Sequence, residues 1–453
     1  MKRLNRKTRT KHGTSTIFLA IIMSALVLVE CTYLSFVWNL DYALSVNTAL
    51  KTQIDTILSD YNRQLYSVYG IYAFTIEGVD NECFEKALEI NGLESKSELF
   101  VSGKQRFTCD DLKKAINSYY WYRGTGIGLK SVVQGYKDMI VELDRQGILK
   151  KVGQFMKSPA AEYVSKMLSG TETASEWIEK AGDVLNIDEL TDEADSIDSL
   201  STDYKNAIKD FGININIDVS EWESILRTVS KLEKTYAVLS DNSEGMIAKG
   251  NISHYCAYNF DCLHRPDGDA SINGTSFNAV HGGKKADCEY IITGNDSDAG
   301  VLEISLLIAN VLVISCMLKD YANEKFRNTM EVIARVISAV ISAVSEGAVN
   351  IDYRIIAVGL TFYCSLVQAL KEYYAVLHGK RAVIFEYEGE KLVTFTYRDF
   401  LYLFCLCVPV DTLLNRSLSI LERDYGKLYK GLTLEADYRG QTYKLTKSYQ
   451  LYE

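Results

Sequence analysis

From Gly13 to Val29 the chain carries no charged side chain, and past Glu30 none appears until Asp41. A helix crosses the hydrocarbon core of a bilayer with about 20 apolar residues, so Thr16 to Trp38 is long enough to span one. A secretory signal has a shorter core of roughly 7–15 residues followed by a small-x-small cleavage site, and no convincing site of that kind follows here. "LVEC" places Glu30, not a small residue, before Cys31, which argues against a lipoprotein signal. Ala43, Val46, Leu50, Ile54, Ile57, Tyr61, Leu65 and Val68 then recur every three or four residues, the signature of one apolar helix face. No glycine or proline interrupts Thr14 to Tyr69. The pattern predicts one unbroken helix leaving the membrane as a stem.

Farther along, Ala73 to Gly170 alternates polar loops with helical pieces. "CDDLKKAINSYYWYR" opens one of them with Asp110 and Asp111 at its start, and another runs through "SVVQGYKDMIVELDRQGILKKVGQFM" with Gly147 as a break. Between Ala181 and Asp203 lie eight acids and no Lys or Arg, which marks a linker. The run lacks the glycine and terminal glutamate of an EF-hand loop, so a solvated acidic face fits it better than calcium. "ININIDVS" reads as a strand and Trp222 to Leu239 as a helix. Gly250 to Asp298, rich in Gly, Asn, Asp and Ser, reads as loops and short strands.

Ala299–Leu318, Asn328–Ser345 and Ile355–Leu377 are three apolar helical segments. Their uncharged cores of 14–16 residues (Ser305–Leu318 and Ile355–Leu370) fall short of the roughly 18 that suggest a span, so buried helices are expected over further spans. "RAVIFEYEGEKLVTFTY" alternates across Glu388–Glu390 and predicts a β-hairpin. Tyr397 to Tyr429 is helical with a break at Pro409. "LTLEADYRGQTYKLTKSYQLY" predicts a second hairpin turning at Arg439–Gly440. The fold class expected is therefore α+β and mainly helical. A long membrane-spanning and amphipathic stem precedes a mixed ectodomain with C-terminal helices and two β-hairpins.

Composition adds orientation. The 453 residues carry a net charge of −10, which argues against a nucleic-acid partner. The exception is a basic leader with Lys2, Arg3, Arg6, Lys7, Arg9 and Lys11. Such a cluster stays in the cytoplasm and sends the rest of the chain outward. Only three prolines occur, which suits long helices.

Candidate chemistry centres on "HYCAYNFDCLH". Its His254, Cys256, Cys262 and His264 are residue types that bind zinc, with Cys288 as an alternative ligand. H-x-C-x5-C-x-H is not a standard zinc spacing, and a Cys256–Cys262 disulfide or reduced thiols fit an exported loop better. Cys83 and Cys109 are a second candidate pair. "GTGIGLKS" (124–131) is not a phosphate-binding loop, because Leu129 separates Gly128 from Lys130 and no hydrophobic strand precedes it. The tyrosines of "SYYWYR" fit a partly buried core better than a binding face. His12, His281 and His378 stand alone, no catalytic set is singled out, and no cofactor is implied.

The leader, Gly13, "TSTIFLAIIM" and "DYNRQLYSVYGIYAF" together resemble TadE/TadF-like pseudopilins. They resemble more closely a clostridial family of unknown function associated with tight-adherence (Tad) pilus genes. The resemblance recurs at "CEYIITGNDSD" (Cys288–Asp298) and at "YRDFLYLFCLCVPVDTLLNRSLSILERDY" (Tyr397–Tyr425). It implies a cytoplasmic leader (1–13), a transmembrane helix (14–38), a stem (39–72) and a large ectodomain. That ectodomain comprises 73–180, the acidic linker 181–205 and 206–453. Pilins carry glutamate at the fifth position after a processing glycine; counted from Gly13, that position here is Phe18. Glu30 either marks a contact between stems or snorkels to the outer surface.

The expectation is a single-pass cell-membrane protein, amino terminus inside and ectodomain outside. It would be a non-enzymatic accessory subunit of a Tad-type pilus or secretion assembly, meeting lipid and the platform proteins through its stem. The alternative is a membrane-tethered ligand-binding domain or extracellular enzyme.

Overall fold

The computed structural model describes residues 11–75, 81–93, 98–123, 147–169, 243–264, 285–345, 347–348, 350–387 and 390–450. It also describes positions 141, 145, 202, 205–206 and 227. The basic leader, the glycine-rich 124–131, most of the acidic run, "ININIDVS" and nearly all of 222–239 lie outside the described residues.

The chain divides into two compact units. One gathers its two ends, Met1–Asp111 and Glu422–Glu453; the other is Leu112–Leu421. In the first unit α1 (Lys11–Ser59) is a single 49-residue helix. Its side chains from Thr16 to Leu40 are all exposed, whereas Val46, Ala49, Leu50 and Ile54 are wholly buried. The helix stops earlier than the apolar periodicity implies. After Ser59 the chain turns, and α2 (Arg63–Tyr69) restarts from Asn62, whose side chain accepts from the Leu65 amide at 3.0 Å. An asparagine N-cap satisfies an amide that a continuing helix would have bonded itself, and that local competition ends α1.

The buried face of α1 is covered by α3 (Glu82–Ile90) and a three-stranded antiparallel sheet. The sheet has β1 (Glu98–Arg106), β4 (Tyr429–Tyr438) and β5 (Gln441–Ser448), with β4 central. Leu432, Leu434, Ala436 and Tyr438 of β4 join Phe74, Phe84, Leu88 and the α1 residues in one core. The β4–β5 turn falls at Arg439–Gly440 as the alternation predicts. Both residues have positive φ (50° and 76°), the backbone of a type I′ hairpin turn.

Among the described residues, the regular structure of the second unit is helical apart from the hairpin β2 (Ala382–Tyr387) and β3 (Glu390–Phe395). Its helices include α4 (Cys109–Arg123, which begins in the first unit), α5 (Ile148–Met156), α6 (Pro159–Ser169), α7 (Ser243–Asn259) and α8 (Asp287–Thr293). There follow α9 (Asp298–Ala322), α10 (Glu324–Val344), α11 (Tyr353–Leu377), α12 (Tyr397–Cys405) and α13 (Val410–Tyr425, whose end belongs to the first unit). α9, α10 and α11 match the three apolar segments. The break between α12 and α13 falls at Pro409 as expected. On α10, Met330, Ile333, Ala334, Ile337, Val340 and Ile341 form its buried stripe.

One expectation is overturned here. Gly250–Asp298 is not a loop region throughout, because α7 runs to Asn259 and α8 occupies Asp287–Thr293. Burial of Ile252, Tyr255, Cys256 and Ala257 supplies the packing that outweighs the local turn composition.

Among the described residues, three helices are long and apolar enough to cross a membrane: Thr16–Ser59, Asp298–Ala322 and Tyr353–Leu377. The last two exceed what their uncharged cores alone indicate, because each helix extends past its core to 25 residues. They differ from the first in burial. None of the most apolar window of α1 is buried, while more than half of that window is buried in α9 and α11. α1 has the length, composition and exposure of a membrane anchor.

Candidate functional site

Two regions hold the residues singled out by sequence. On α1, Gly13 lies in the opening turns and Phe18 is 65% exposed. Glu30 is also exposed. Ser24 and Thr32 turn their hydroxyls back onto the carbonyls of Ile21 (2.9 Å) and Leu28 (2.7 Å), so each is satisfied within its own helix. Helical rise puts Glu30 about 12 Å from Trp38 along the axis.

The second region surrounds the C-terminal end of α7. His254 and Cys256 are two residues apart on a helix, so their side chains leave it roughly 200° apart. They accordingly face different neighbours. His254 stacks on Tyr258 (4.3 Å between centroids, 10° between planes), and its Nδ1 lies 2.6 Å from the Tyr120 hydroxyl. Burial pushes its pKa down to about 4, against an opposing pull from Asp399. Cys256 is fully buried with Sγ 3.4 Å from Ser417 Oγ, and burial lifts its thiol to about 12.

Cys262 and His264 lie past the helix end. The Cys262 thiol donates to the His264 carbonyl (3.3 Å), and His264 Nδ1 meets the Leu377 carbonyl (3.1 Å). The four do not converge, and among the described residues no three His, Cys, Asp or Glu side chains are placed to hold a metal. All ten cysteines are thiols: Cys256 and Cys262 are not bridged, and Cys83 lies beside Thr56 (3.4 Å) rather than Cys109.

What gathers at this helix end instead is a buried polar hub that periodicity did not reveal. Arg398, 1% exposed, donates from Nη1 to the carbonyls of Ala257 (2.6 Å) and Phe260 (3.1 Å). The Cys288 thiol donates to the Cys256 carbonyl (3.1 Å), and its amide to that of Asp261 (2.9 Å). A cation at the C-terminal end of a helix meets the negative end of its dipole and orphan carbonyls that need donors. Beside it Glu289, 1% exposed, accepts from the Leu263 amide (3.0 Å) and the Tyr397 hydroxyl (2.8 Å) through Oε1. Burial pushes the Glu289 carboxyl up despite these bonds, and burial with the nearby carboxylate pushes Tyr397 up. Asp399 closes a capping box with Thr396 and accepts from the Tyr258 hydroxyl at 2.6 Å.

The motifs "CEYIITGNDSD" and "YRDF", 108 residues apart at Glu289 and Tyr397, thus meet on "HYCAYNFDC". Each carries a structural task visible here in hydrogen bonds. Arg416 donates to the carbonyls of Ile291 and Ile292 (2.8 Å each) at the end of α8. Gly294 follows with φ +80°, and a Cβ there would lie 2.4 Å from Arg416 Nη2. Asn295 and Ser297 then cap the start of α9. The quoted motifs were the available signal for this hub, although no spacing rule links them. No family model matches the chain, and no curated protein or solved structure is significantly similar to it.

Proposed function

We propose that the protein is a membrane-anchored accessory subunit of a Tad-type pilus or related surface assembly, acting through its stem rather than through catalysis. The observation that carries this reading is the continuity of α1. An exposed apolar half passes without a break into a half seated on an antiparallel sheet. A stem of this kind transmits the position of its membrane segment rigidly to the folded unit, which lateral assembly requires.

Glu30 supports the same reading. A solitary carboxylate within the span costs a few kcal/mol in hydrocarbon, which a polar group on a neighbouring stem would offset. The basic leader orients the chain amino terminus inside and ectodomain outside. Phe18, where a pilin has glutamate, fits an accessory role in which any contact at that depth is apolar.

Protease treatment of intact cells, with sequencing of the mature amino terminus, tests location. Digestion of the ectodomain is expected, and a fully protected chain would refute the topology. Co-purification tests assembly: replacing residues 14–38 with an unrelated apolar span, or Glu30→Leu, should release pilus or platform proteins. Unchanged capture with both variants would remove the stem from the mechanism.

A further inference from the structure

The β4–β5 hairpin reads as a second membrane contact. β5 runs alongside α1: Lys447 pairs with Asp55, and the Tyr449 hydroxyl donates to the Leu58 carbonyl at 2.8 Å. At the other end of the strand, the turn reaches Tyr42. The Arg439 guanidinium lies 4.5 Å from the Tyr42 ring centroid and 5.7 Å from that of Tyr438. The lengths agree, since Tyr42 to Asp55 spans about 20 Å of helix and Gln441 to Lys447 about 20 Å of strand. The hairpin therefore points its tip toward the apolar half of α1.

Tyr42 is about 6 Å along the axis from Trp38, an exposed aromatic of the kind found at membrane interfaces. The polar layer on each side of a bilayer is about 5–8 Å thick, so the tip lies at headgroup level. Two further observations single out Arg439. It is the one non-glycine residue with positive φ among the described residues, at a turn position where Asn, Asp or Gly is the unstrained choice. Arg439 is also exposed, held beside Tyr42 and Tyr438, and a guanidinium carries five N–H donors that can pair with phosphate.

We infer that the Arg439 turn docks on lipid phosphates of the outer headgroup layer, holding the sheet-bearing unit at a fixed tilt to the bilayer. The inference rests on α1 being the membrane span. Its test uses the full chain in vesicles, either phosphatidylglycerol mixed with phosphatidylcholine or phosphatidylcholine alone. Photoreactive p-benzoylphenylalanine replaces Leu28, Gln441 or Thr446 in turn, and lipid adducts are read by mass spectrometry.

Adducts are expected at Leu28 and Gln441 and not at Thr446, farther up the strand. Adding Arg439→Asn, which relieves the turn, should cut the Gln441 adduct in anionic vesicles about fivefold without lowering the unfolding midpoint. A Leu28 adduct without one at Gln441 would overturn this inference and leave the anchor standing. No adduct at Leu28 would overturn both. A Gln441 adduct unchanged by Arg439→Asn would overturn the role of Arg439.

Discussion

The apolar stretches of α1 and α9 have nearly the same mean hydropathy, yet Thr16 to Leu40 is exposed throughout and Val311 to Met317 is buried throughout. Their polar side chains show how each tolerates its surroundings. Ser24 and Thr32 bond to their own helix and need nothing beside it. In α9, Ser305 likewise bonds to its own helix at Val301 (2.9 Å), while Ser315 donates to the carbonyl of Ile384 on β2. Hydropathy reports that a segment can leave water; it does not report whether lipid or protein receives it. Burial within the fold does.

Charge insertion should separate the two helices most sharply. Leu312→Arg places an unpaired cation in the core and should cost at least about 3–5 kcal/mol, read as loss of the cooperative urea transition of the full chain in detergent. Leu28→Arg should leave that transition in place and weaken membrane retention, at about 2.5–3.5 kcal/mol for a mid-span arginine. Equal effects on both readouts would erase the distinction. Truncation gives a gentler version: Leu312→Ala should cost about 2–5 kcal/mol, while Leu26→Ala should stay within about 0.5 kcal/mol.

Acid sharpens the comparison from the side of the hub. His254 titrates near 4 when folded and near its ordinary value of 6.5 when unfolded. Between those values the unfolded chain binds more protons, so stability falls as pH drops from about 6.5 toward 4. Glu289, raised by burial, acts in the opposite sense. The difference between wild type and His254→Gln isolates the histidine: the variant should lose less stability over this window in pH-dependent urea melts. Smallest is Lys447→Ala, which removes a partly exposed pair with Asp55 and should cost about 0.2–1 kcal/mol. A larger loss would mean that the sheet-bound half of α1 depends on this ion pair more than on its apolar face.

Local patterns were legible where neighbours in sequence are neighbours in space. The anchor, the helices α9–α11, the break at Pro409 and both hairpins follow from periodicity and turn chemistry. Contacts between distant segments were not. β1 pairs with β4, matching Glu98 to Asp437, and "ELFVSGKQR" alternates too weakly to announce a strand without its partner. Asn62 was readable as a cap only in retrospect, since the apolar spacing runs straight through it. The zinc-like quartet failed on helix geometry, which sends His254 and Cys256 to opposite sides. Arg398 and Glu289 resemble ordinary surface charges until the end of α7 gives them carbonyls and amides to bind.

The pairing of α1 with β4 and β5 has a consequence for how the protein is made. The helix emerges first, and the strands that cover its apolar face emerge more than three hundred residues later. A product terminated anywhere in between leaves the part of the α1 face that these strands cover without its partner. That part of the stem is sheltered only once residues 429–448 have arrived.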